Sequence, residues 1–271
     1  MKSTERTTNV IVLLTDFGLR DGFAGAMKGV ILGINPKATV VDLTHEIPPQ
    51  DVNAAAYVLW STHSFFARGT IFLVVVDPGV GTERRILCVE GRNHIFLAPD
   101  NGVLKYLEAD GLLTRAWEVR NERYFLSHVS STFHGRDIFA PVAARLSLGL
   151  NPSKLGRRVA LSRPRREFAY LDGRKTGKYL GNVIHIDRFG NLITNLRLSP
   201  GEGLSSGRLT VRIKSRVIQG LSQAYAQGSP NRPVALINSS NLIEIGVRNG
   251  SARELLKAKV GDKVMIEIKN R

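Results

Sequence analysis

The 271-residue chain contains a single cysteine, Cys88, so no disulfide can form within it. That cysteine lies in the apolar stretch ILCVE, where a buried, unreactive thiol is expected rather than a nucleophile. No apolar run reaches the roughly 20 residues that a membrane-spanning helix needs. The polar start, residues 1–8, has no signal-peptide core and is expected to be a loose tail. We therefore expect a cytoplasmic protein with no membrane partner.

The short motifs that mark several common kinds of site are also missing. The sequence has no Walker loop, no GxGxxG fingerprint and no GxSxG nucleophile elbow. No group of cysteines and histidines has the spacing of a zinc site. The sequence therefore predicts no metal centre and none of the chemistry that these motifs support.

Acidic residues are few compared with basic ones. The chain has 23 Asp and Glu against 38 Lys and Arg, which gives a formal net charge of +15. The excess is concentrated between residues 153 and 178, and such a charge permits nucleic-acid binding. However, the stretch lacks the interleaved aromatic residues of a single-strand platform, and no helix-turn-helix or RNP-like sequence is present. Nucleic acid is therefore an alternative partner, and a charged, solvated surface is the favoured interpretation.

The first half of the chain alternates apolar strands with helices of amphipathic pattern. This βαβ rhythm predicts an α/β domain over residues 9–160, with a mostly parallel central sheet. Two short strands separated by Gly-Arg-Asn indicate a hairpin. The predicted strands are 9–14, 39–43, 70–76, 86–90 and 94–97, and the predicted helices are 23–32, 52–66 and 137–148.

The pattern changes after about residue 150, where β-branched residues become frequent and helical periodicity is weak. Short strands at regular spacing predict a smaller, all-β, barrel-like domain over residues 179–271. Residues 161–178 are predicted to form a basic linker. The predicted strands are 179–187, 191–196, 209–213, 234–239, 242–247 and 263–268, with a short helix at 252–257.

Polar side chains follow two of the apolar strands in the first half. Asp16 follows the first strand and Asp77 follows the third, where open α/β sheets place ligand chemistry. The loop from Pro78 to Thr82 can bring Arg84 near Asp77, and His134 lies just before a predicted helix. A carboxylate, a guanidinium and an imidazole together can hold and polarise a water molecule. The alternatives are a turn-forming aspartate, a solvated arginine and a core histidine bonded to backbone.

Asp16 and two stretches of the second half have the side chains of a small-molecule site. Asp16 can accept hydrogen bonds from ribose hydroxyls, or it can cap a turn. In IDRFGN, Phe189 can stack on a base and Asn191 can pair with its edge, or the segment is a hairpin with a core phenylalanine. In NSSNLIEIGV, which contains Ser239, Glu244 can hold an ammonium group or can be a surface acid of a strand.

Seven segments, in the same order, resemble the S-adenosyl-L-methionine (SAM) hydroxide adenosyltransferases. These are SAM hydrolases related to the bacterial fluorinase and chlorinase. The resemblance covers nearly the whole chain. The segments are LLTDFG (13–18), DLTHEIPPQD (42–51), GTIFLVVVDPGVGTERR (69–85), LAPDNGVL (97–104), TFHGRDIFAP (132–141), IDRFGN (186–191) and the run 238–252.

The resemblance implies an α/β domain followed by a β-barrel-like domain, assembled as a homotrimer with the ligand between neighbouring subunits. The implied reaction is attack of water or hydroxide on C5′ of the SAM ribose, which gives adenosine and L-methionine. SAM is then the substrate, and no cofactor is implied. The water-holding triad maps onto Asp77, Arg84 and His134. The ligand residues map onto Asp16, Asp187, Phe189, Asn191, Ser239, Glu244 and, through its backbone, Val247.

The halogenating relatives depart from this chain at the reacting centre. They carry a tyrosine in place of Asp77, a threonine in place of Val80 and, in the fluorinase, a tryptophan in place of Gln50 and an extra loop. A carboxylate near the nucleophile repels a halide and accepts hydrogen bonds from water, so the resemblance favours hydrolysis. The alternatives are a SAM-dependent halogenase, a non-catalytic sensor of SAM or adenosine, and a nucleic-acid-binding protein.

Overall fold

The chain folds into two compact units that divide between residues 165 and 166. The predicted loose tail, residues 1–8, and parts of the predicted basic linker, residues 161–178, lie outside the described residues. The limits of these two stretches therefore stay predictions. The computed structural model describes residues 9–161, 167–172, 176–198 and 209–269.

The first unit contains a seven-stranded sheet with helices packed against it. A π-helix, Gly135–Phe139, runs directly into the last α-helix of the unit. The strands are β1 (Val10–Thr15), β2 (Thr39–Thr44), β3 (Ile71–Val75), β4 (Ile86–Gly91), β5 (Ile95–Pro99), β6 (Leu113–Glu118) and β7 (Arg158–Val159), and the α-helices are α1 (Phe23–Ile34), α2 (Val52–Thr62), α3 (Lys105–Ala109) and α4 (Ala140–Ser147).

The sheet order is β2-β1-β3-β5-β4-β6-β7. Strands β2, β1, β3 and β5 run parallel to one another, whereas β4 is antiparallel to both β5 and β6, and β6 is antiparallel to β7. The prediction of a mostly parallel sheet is therefore wrong, and the sheet is mixed. The reason is that β4 and β5 form a tight hairpin, and β6 and β7, which the sequence pattern did not indicate, extend it in the antiparallel sense.

The parallel half of the sheet forms the core of the first unit. All five residues of β3 are buried, as expected for a central strand covered on both faces. Met27 and Ile31 of α1 pack into the same cluster as Phe139 and Ala143, which come from the π-helix and α4. This rigid half of the sheet positions the loops at its carboxyl edge.

The second unit is a nearly closed, largely antiparallel, barrel-like sheet, as the sequence predicted. Its strand order is β12-β11-β15-β9-β10-β14-β13, and β8 pairs with β10 in parallel. Its elements are β8 (Ala169–Leu171), β9 (Gly177–Ile186), β10 (Leu192–Leu198), β11 (Leu209–Ile213), β12 (Arg216–Gln219), β13 (Pro233–Ile237), β14 (Leu242–Val247), α5 (Ala252–Leu256) and β15 (Lys263–Ile268).

Candidate active site

The loops that leave the parallel strands place polar side chains at one edge of the first unit's sheet. Asp16 directly follows β1, His45 directly follows β2, and Asp77 lies two residues beyond the end of β3. Because β1, β2 and β3 are parallel, these three positions share the carboxyl edge, where open α/β sheets bind ligands.

Asp77, Arg84 and His134 form one continuous contact. Arg84 donates from Nε to Asp77 Oδ2 at 2.7 Å, and its Nη2 lies 2.5 Å from the same oxygen. The same Nη2 lies 2.9 Å from Nδ1 of His134. The structure therefore brings together the carboxylate, the guanidinium and the imidazole that the sequence indicated.

A close approach of two loops makes this contact possible. Gly81 has a φ of +78°, and a Cβ at this position would lie 2.4 Å from the carbonyl oxygen of Ser131. Only glycine fits such a conformation and such a distance. Packing of the loop after β3 against the loop before the π-helix brings Arg84 within reach of His134.

The contact with Arg84 determines the protonation state of His134. A guanidinium can only donate hydrogen bonds, so Nδ1 of His134 accepts, and the ring's single proton lies on Nε2. Burial lowers the pKa of His134, and the positive charge of Arg84 acts in the same direction, although the carboxylates of Asp77 and Asp137 and a hydrogen bond with the Ser130 backbone oppose it. The imidazole is thus a neutral donor through Nε2.

Asp77 keeps one carboxylate oxygen uncommitted. Its side chain is only 4% exposed, and Oδ2 receives the contacts from Arg84. Oδ1 is buried and has no hydrogen-bond partner within the described residues. A buried carboxylate oxygen normally has a partner, so this atom is an acceptor available to a small polar ligand.

Asp16 is held by the loop that follows β2. Its Oδ2 accepts a hydrogen bond from the backbone nitrogen of Gln50 at 2.7 Å, and Gln50 has a φ of +66°. Asp16 is half-buried, so its carboxylate is both fixed and reachable. This is the arrangement expected of a carboxylate that receives hydroxyl groups.

In the second unit, Asp187 organises the turn between β9 and β10. Its Oδ1 accepts from the backbone nitrogens of Phe189 and Asn191 at 2.9 and 2.8 Å, and Oδ2 accepts from the Asn191 amide at 2.9 Å. Gly190 has a φ of +81°, and a Cβ there would lie 2.1 Å from Ser251 Oγ. The turn therefore presents Phe189 on a fixed backbone.

Glu244 is a buried acid on β14. It is 5% exposed and accepts hydrogen bonds from the hydroxyl of Tyr225 and, at 3.2 Å, from the amide of Asn238. Burial raises the pKa of Glu244, and the negative charge of Asp187 acts in the same direction, although the two hydrogen bonds oppose it. A cationic group placed beside this carboxylate would therefore be strongly favoured.

The remaining predicted ligand residues lie in the same unit but differ in exposure. Phe189 is 76% exposed, so the alternative that it is a core side chain is wrong. Ser239 is exposed in the turn between β13 and β14. Val247 is buried at the end of β14, and its carbonyl accepts a hydrogen bond from the backbone nitrogen of Gly250 at 3.2 Å.

Sequence reasoning assigned no role to two neighbours of Glu244. Tyr225 lies 19 residues before Glu244, in a stretch without a strand or motif signal, so nothing in the pattern indicated it. Asn238 opens the segment that contains Ser239, and an asparagine before two serines was a usable turn signal. Its Oδ1 accepts from the backbone nitrogens of Ser240 and Leu242, so it also shapes that turn.

Other kinds of site find little support in the described ranges. Burial raises the pKa of the Cys88 thiol, which makes it unreactive. No group of three or more histidine, cysteine, aspartate and glutamate side chains in these ranges could hold a metal ion. No helix in the same ranges is long and apolar enough to cross a membrane.

The two-unit fold and the polar edge of its sheet are those of an α/β protein that binds a ligand at strand ends and loops. Comparison with known families is specific: the SAM hydroxide adenosyltransferase N-terminal domain matches residues 11–156, and the corresponding C-terminal domain matches residues 181–265. The chain therefore belongs to the SAM hydroxide adenosyltransferase family.

Individual relatives agree with this assignment. An (R)-S-adenosyl-L-methionine hydrolase from Thermus thermophilus is 37% identical over 93% of this chain and 96% of its own. A fluorinase from Nocardia brasiliensis is 26% identical over 99% of this chain and 100% of its own. The crystal structure of an uncharacterized conserved protein from Thermotoga maritima superposes with a TM-score of 0.83 at 33% identity, covering 94% of this chain and 99% of that one.

Proposed function

We propose that this protein hydrolyses SAM to adenosine and L-methionine, with water or hydroxide attacking C5′ of the ribose. The observation that carries the proposal is the buried Asp77 carboxylate, whose Oδ2 is held by Arg84 while Oδ1 has no partner within the described residues. The hydrolase relatives, similar over most of the chain, support the same reaction.

The chemistry needs a positioned nucleophile more than it needs an acid. The sulfonium is a good leaving group, and when the C5′–S bond breaks, its electron pair returns to sulfur and gives the neutral thioether of methionine. The new bond joins the water oxygen to C5′, and one proton leaves that oxygen. Correct placement of the nucleophile can contribute on the order of 7–11 kcal/mol at best.

The three side chains divide this task. Asp77 Oδ1 accepts a hydrogen bond from the water and can take its proton, while Arg84 holds Oδ2 of the same carboxylate in place. His134 can donate from Nε2 to the water oxygen, although the ring also has a hydrogen bond with the backbone of Ser130, and in this tautomer it has no nitrogen available to act as the base. Asp77 is therefore the proposed base, with bulk solvent as the final acceptor.

Halogenation is disfavoured by the same carboxylate. An anionic halide beside the Asp77 carboxylate would meet a like charge at a side chain that is only 4% exposed, where repulsion is stronger than in bulk water. Water has no charge and can donate to the carboxylate. Asp77 thus favours hydrolysis over the reaction of the fluorinase relatives.

The substrate-binding assignments are also proposals. Asp16 is proposed to receive the ribose hydroxyls, and Glu244 a positively charged group of SAM. Asp187 holds the turn from which Phe189 stacks on the adenine and Asn191 pairs with a polar edge. Ser239 and the backbone of Val247 complete the proposed set, and SAM is the substrate, with no cofactor proposed.

The assembly that the resemblance implies is part of the proposal. A homotrimer would place the first unit of one subunit beside the second unit of its neighbour, with SAM between them. The domain limits 9–160 and 179–271 and a cytoplasmic location remain predictions of the sequence.

The deciding experiment is incubation of the purified protein with SAM, with and without chloride, followed by chromatographic separation of the products. Adenosine and methionine in equal amounts, independent of chloride, are expected. A chlorinated nucleoside would assign the protein to the halogenases. Unreacted SAM would overturn the proposal and leave a SAM or adenosine sensor, or a nucleic-acid-binding protein, as the remaining alternatives.

A further inference from the structure

His45 lies in a buried polar chain directly behind the loop that carries Asp16. Its Nδ1 lies 2.8 Å from the hydroxyl of Thr15, and its Nε2 lies 3.0 Å from Asp42 Oδ1. Lys28 donates to the other oxygen of Asp42 at 2.6 Å. The His45 side chain is 1% exposed and that of Asp42 is 37% exposed, so the chain runs from the interior to the surface.

The donor and the acceptor in each of these polar contacts follow from the groups at the two ends of the series, Asp42 and the backbone nitrogen of Phe17. The carboxylate of Asp42 can only accept, because burial, which acts to raise its pKa, is outweighed by the hydrogen bond from Lys28 and the contact with His45. Nε2 of His45 faces this carboxylate at 3.0 Å and has no other partner in the described residues, so we assign the proton to Nε2, and Nδ1 then accepts from the Thr15 hydroxyl. That hydroxyl oxygen in turn accepts from the backbone nitrogen of Phe17 at 3.3 Å.

This series of hydrogen bonds holds the backbone on both sides of Asp16. Thr15 and Phe17 are its two neighbours, and both are tied to His45 through the Thr15 hydroxyl. In addition, the backbone nitrogen of Gly18 donates to the carbonyl of His45 at 2.7 Å. The backbone on each side of Asp16 is thus fixed by contacts to one histidine.

We propose that His45, oriented by Asp42, is a positioning residue that sets the place of Asp16 for the ribose hydroxyls of the nucleoside. This inference rests on the proposed role of Asp16 in the SAM site. His45 does not touch the ligand in this proposal and acts only through the backbone and hydroxyl that it holds.

The test compares His45→Ala, His45→Asn and Asp42→Asn with wild type, and repeats His45→Ala in an Asp16→Ala background. An asparagine oxygen can replace Nδ1 as acceptor for Thr15, so His45→Asn should retain more function than His45→Ala. His94→Asn is the matched control, because His94 is also buried but lies just before β5, at the opposite edge of the sheet. Thermal unfolding of each variant shows whether it is folded at the assay temperature.

Two readouts are used, the KM for SAM and calorimetric Kd values for adenosine and 2′,3′-dideoxyadenosine. We expect His45→Ala to raise the KM for SAM about tenfold with little change in kcat. The same substitution should remove most of the preference for adenosine over 2′,3′-dideoxyadenosine, which lacks the two ribose hydroxyls. In the Asp16→Ala background the same substitution should change KM less than about twofold, since residues that act as a unit are not additive.

Equal effects of His45→Ala with and without Asp16 would overturn the inference. The inference would also be overturned if His45→Ala lowered the unfolding temperature but left the KM and the nucleoside preference unchanged. That result is expected if His45 has a purely structural role. The nucleoside measurement needs no turnover, so it separates this inference from the proposed reaction. A wild-type protein that preferred adenosine but left SAM intact would refute only the reaction, and one with no preference would refute the inference.

Discussion

Arg84 donates from Nη2 to Nδ1 of His134 at 2.9 Å, so the proton of the neutral imidazole lies on Nε2. Because Arg84 also holds Asp77, one guanidinium fixes both the position of the carboxylate and the tautomer of the histidine. The triad therefore has one fixed cation, one uncommitted acceptor and one donor, and its residues can be tested separately.

Asp77→Asn should abolish most turnover while leaving SAM binding nearly intact. Removal of a general base typically lowers kcat by about 10²- to 10⁴-fold, and the neutral amide cannot take the proton. Steady-state kinetics gives kcat and KM separately. Asp100→Asn is the matched control, since Asp100 follows β5 at the same edge but forms an exposed pair with Arg85. An unchanged kcat in Asp77→Asn would refute the assigned role.

The pKa of His134 should lie below 6.5 in the wild-type protein and rise when Arg84 is replaced by glutamine. Burial remains in the variant, but the positive charge that opposes protonation is gone. The measurement is an NMR titration of the imidazole, with Arg85→Gln as the control for loss of a neighbouring guanidinium. A His134 pKa that did not move in Arg84→Gln would show that the two groups are not coupled.

Glu244→Gln should weaken SAM binding and leave the chemical step nearly unchanged. The substitution keeps the shape of the side chain and its contact with the Tyr225 hydroxyl, but removes the charge that would face a cation. We expect KM to rise about 10- to 100-fold, in the range of a charge-assisted contact. Glu254→Gln, on the exposed face of α5, should behave like wild type. A KM within twofold of wild type in Glu244→Gln would contradict the proposed contact.

Co-expression of Asp77→Asn and Glu244→Gln subunits should restore activity if each site joins two subunits. In a mixed trimer with head-to-tail interfaces, about a quarter of the sites would combine two unaltered halves. The assay is SAM turnover at low SAM concentration, with each variant expressed alone as the control. No activity above the sum of the separate variants would contradict a site shared between subunits.

His94 should make the protein less stable in mild acid. Burial lowers the pKa of His94 from 6.5 to about 4, and its Nδ1 is buried with no partner in the described ranges. Between pH 6.5 and pH 4, His94 therefore binds a proton in the unfolded chain but not in the folded protein. The free energy of unfolding consequently falls as the pH falls toward 4.

The expected loss between pH 7 and pH 5 is about 1–2 kcal/mol. Urea unfolding at the two pH values measures it, and the pH dependence should become smaller in His94→Phe, which removes the titrating group. His128→Phe, at an exposed position, is the control. The same pH dependence in His94→Phe as in wild type would assign the acid sensitivity to other groups.

Much of the first unit could be predicted because its signals are local. Apolar runs end one residue before Asp16 and immediately before Asp77, and parallel strands bring such ends to one edge. The mixed character of the sheet could not be predicted, because β6 has only a half-buried pattern, with Thr114 and Arg115 exposed, and resembles a loop in sequence.

The candidate site was predicted residue by residue, but of its contacts only the approach of Arg84 to Asp77 was predicted. The sequence determined which groups are present, namely a strand-end carboxylate, two arginines and a histidine before a helix. The sequence indicated Arg84 as the neighbour of Asp77, but only the tertiary structure decided that the same guanidinium also contacts Nδ1 of a histidine 50 residues away. The physical reason is long-range packing: the backbone of Ser131 lies so close to Gly81 that a side chain at position 81 would clash with it. A contact between residues this far apart in sequence leaves no signal in a local sequence pattern.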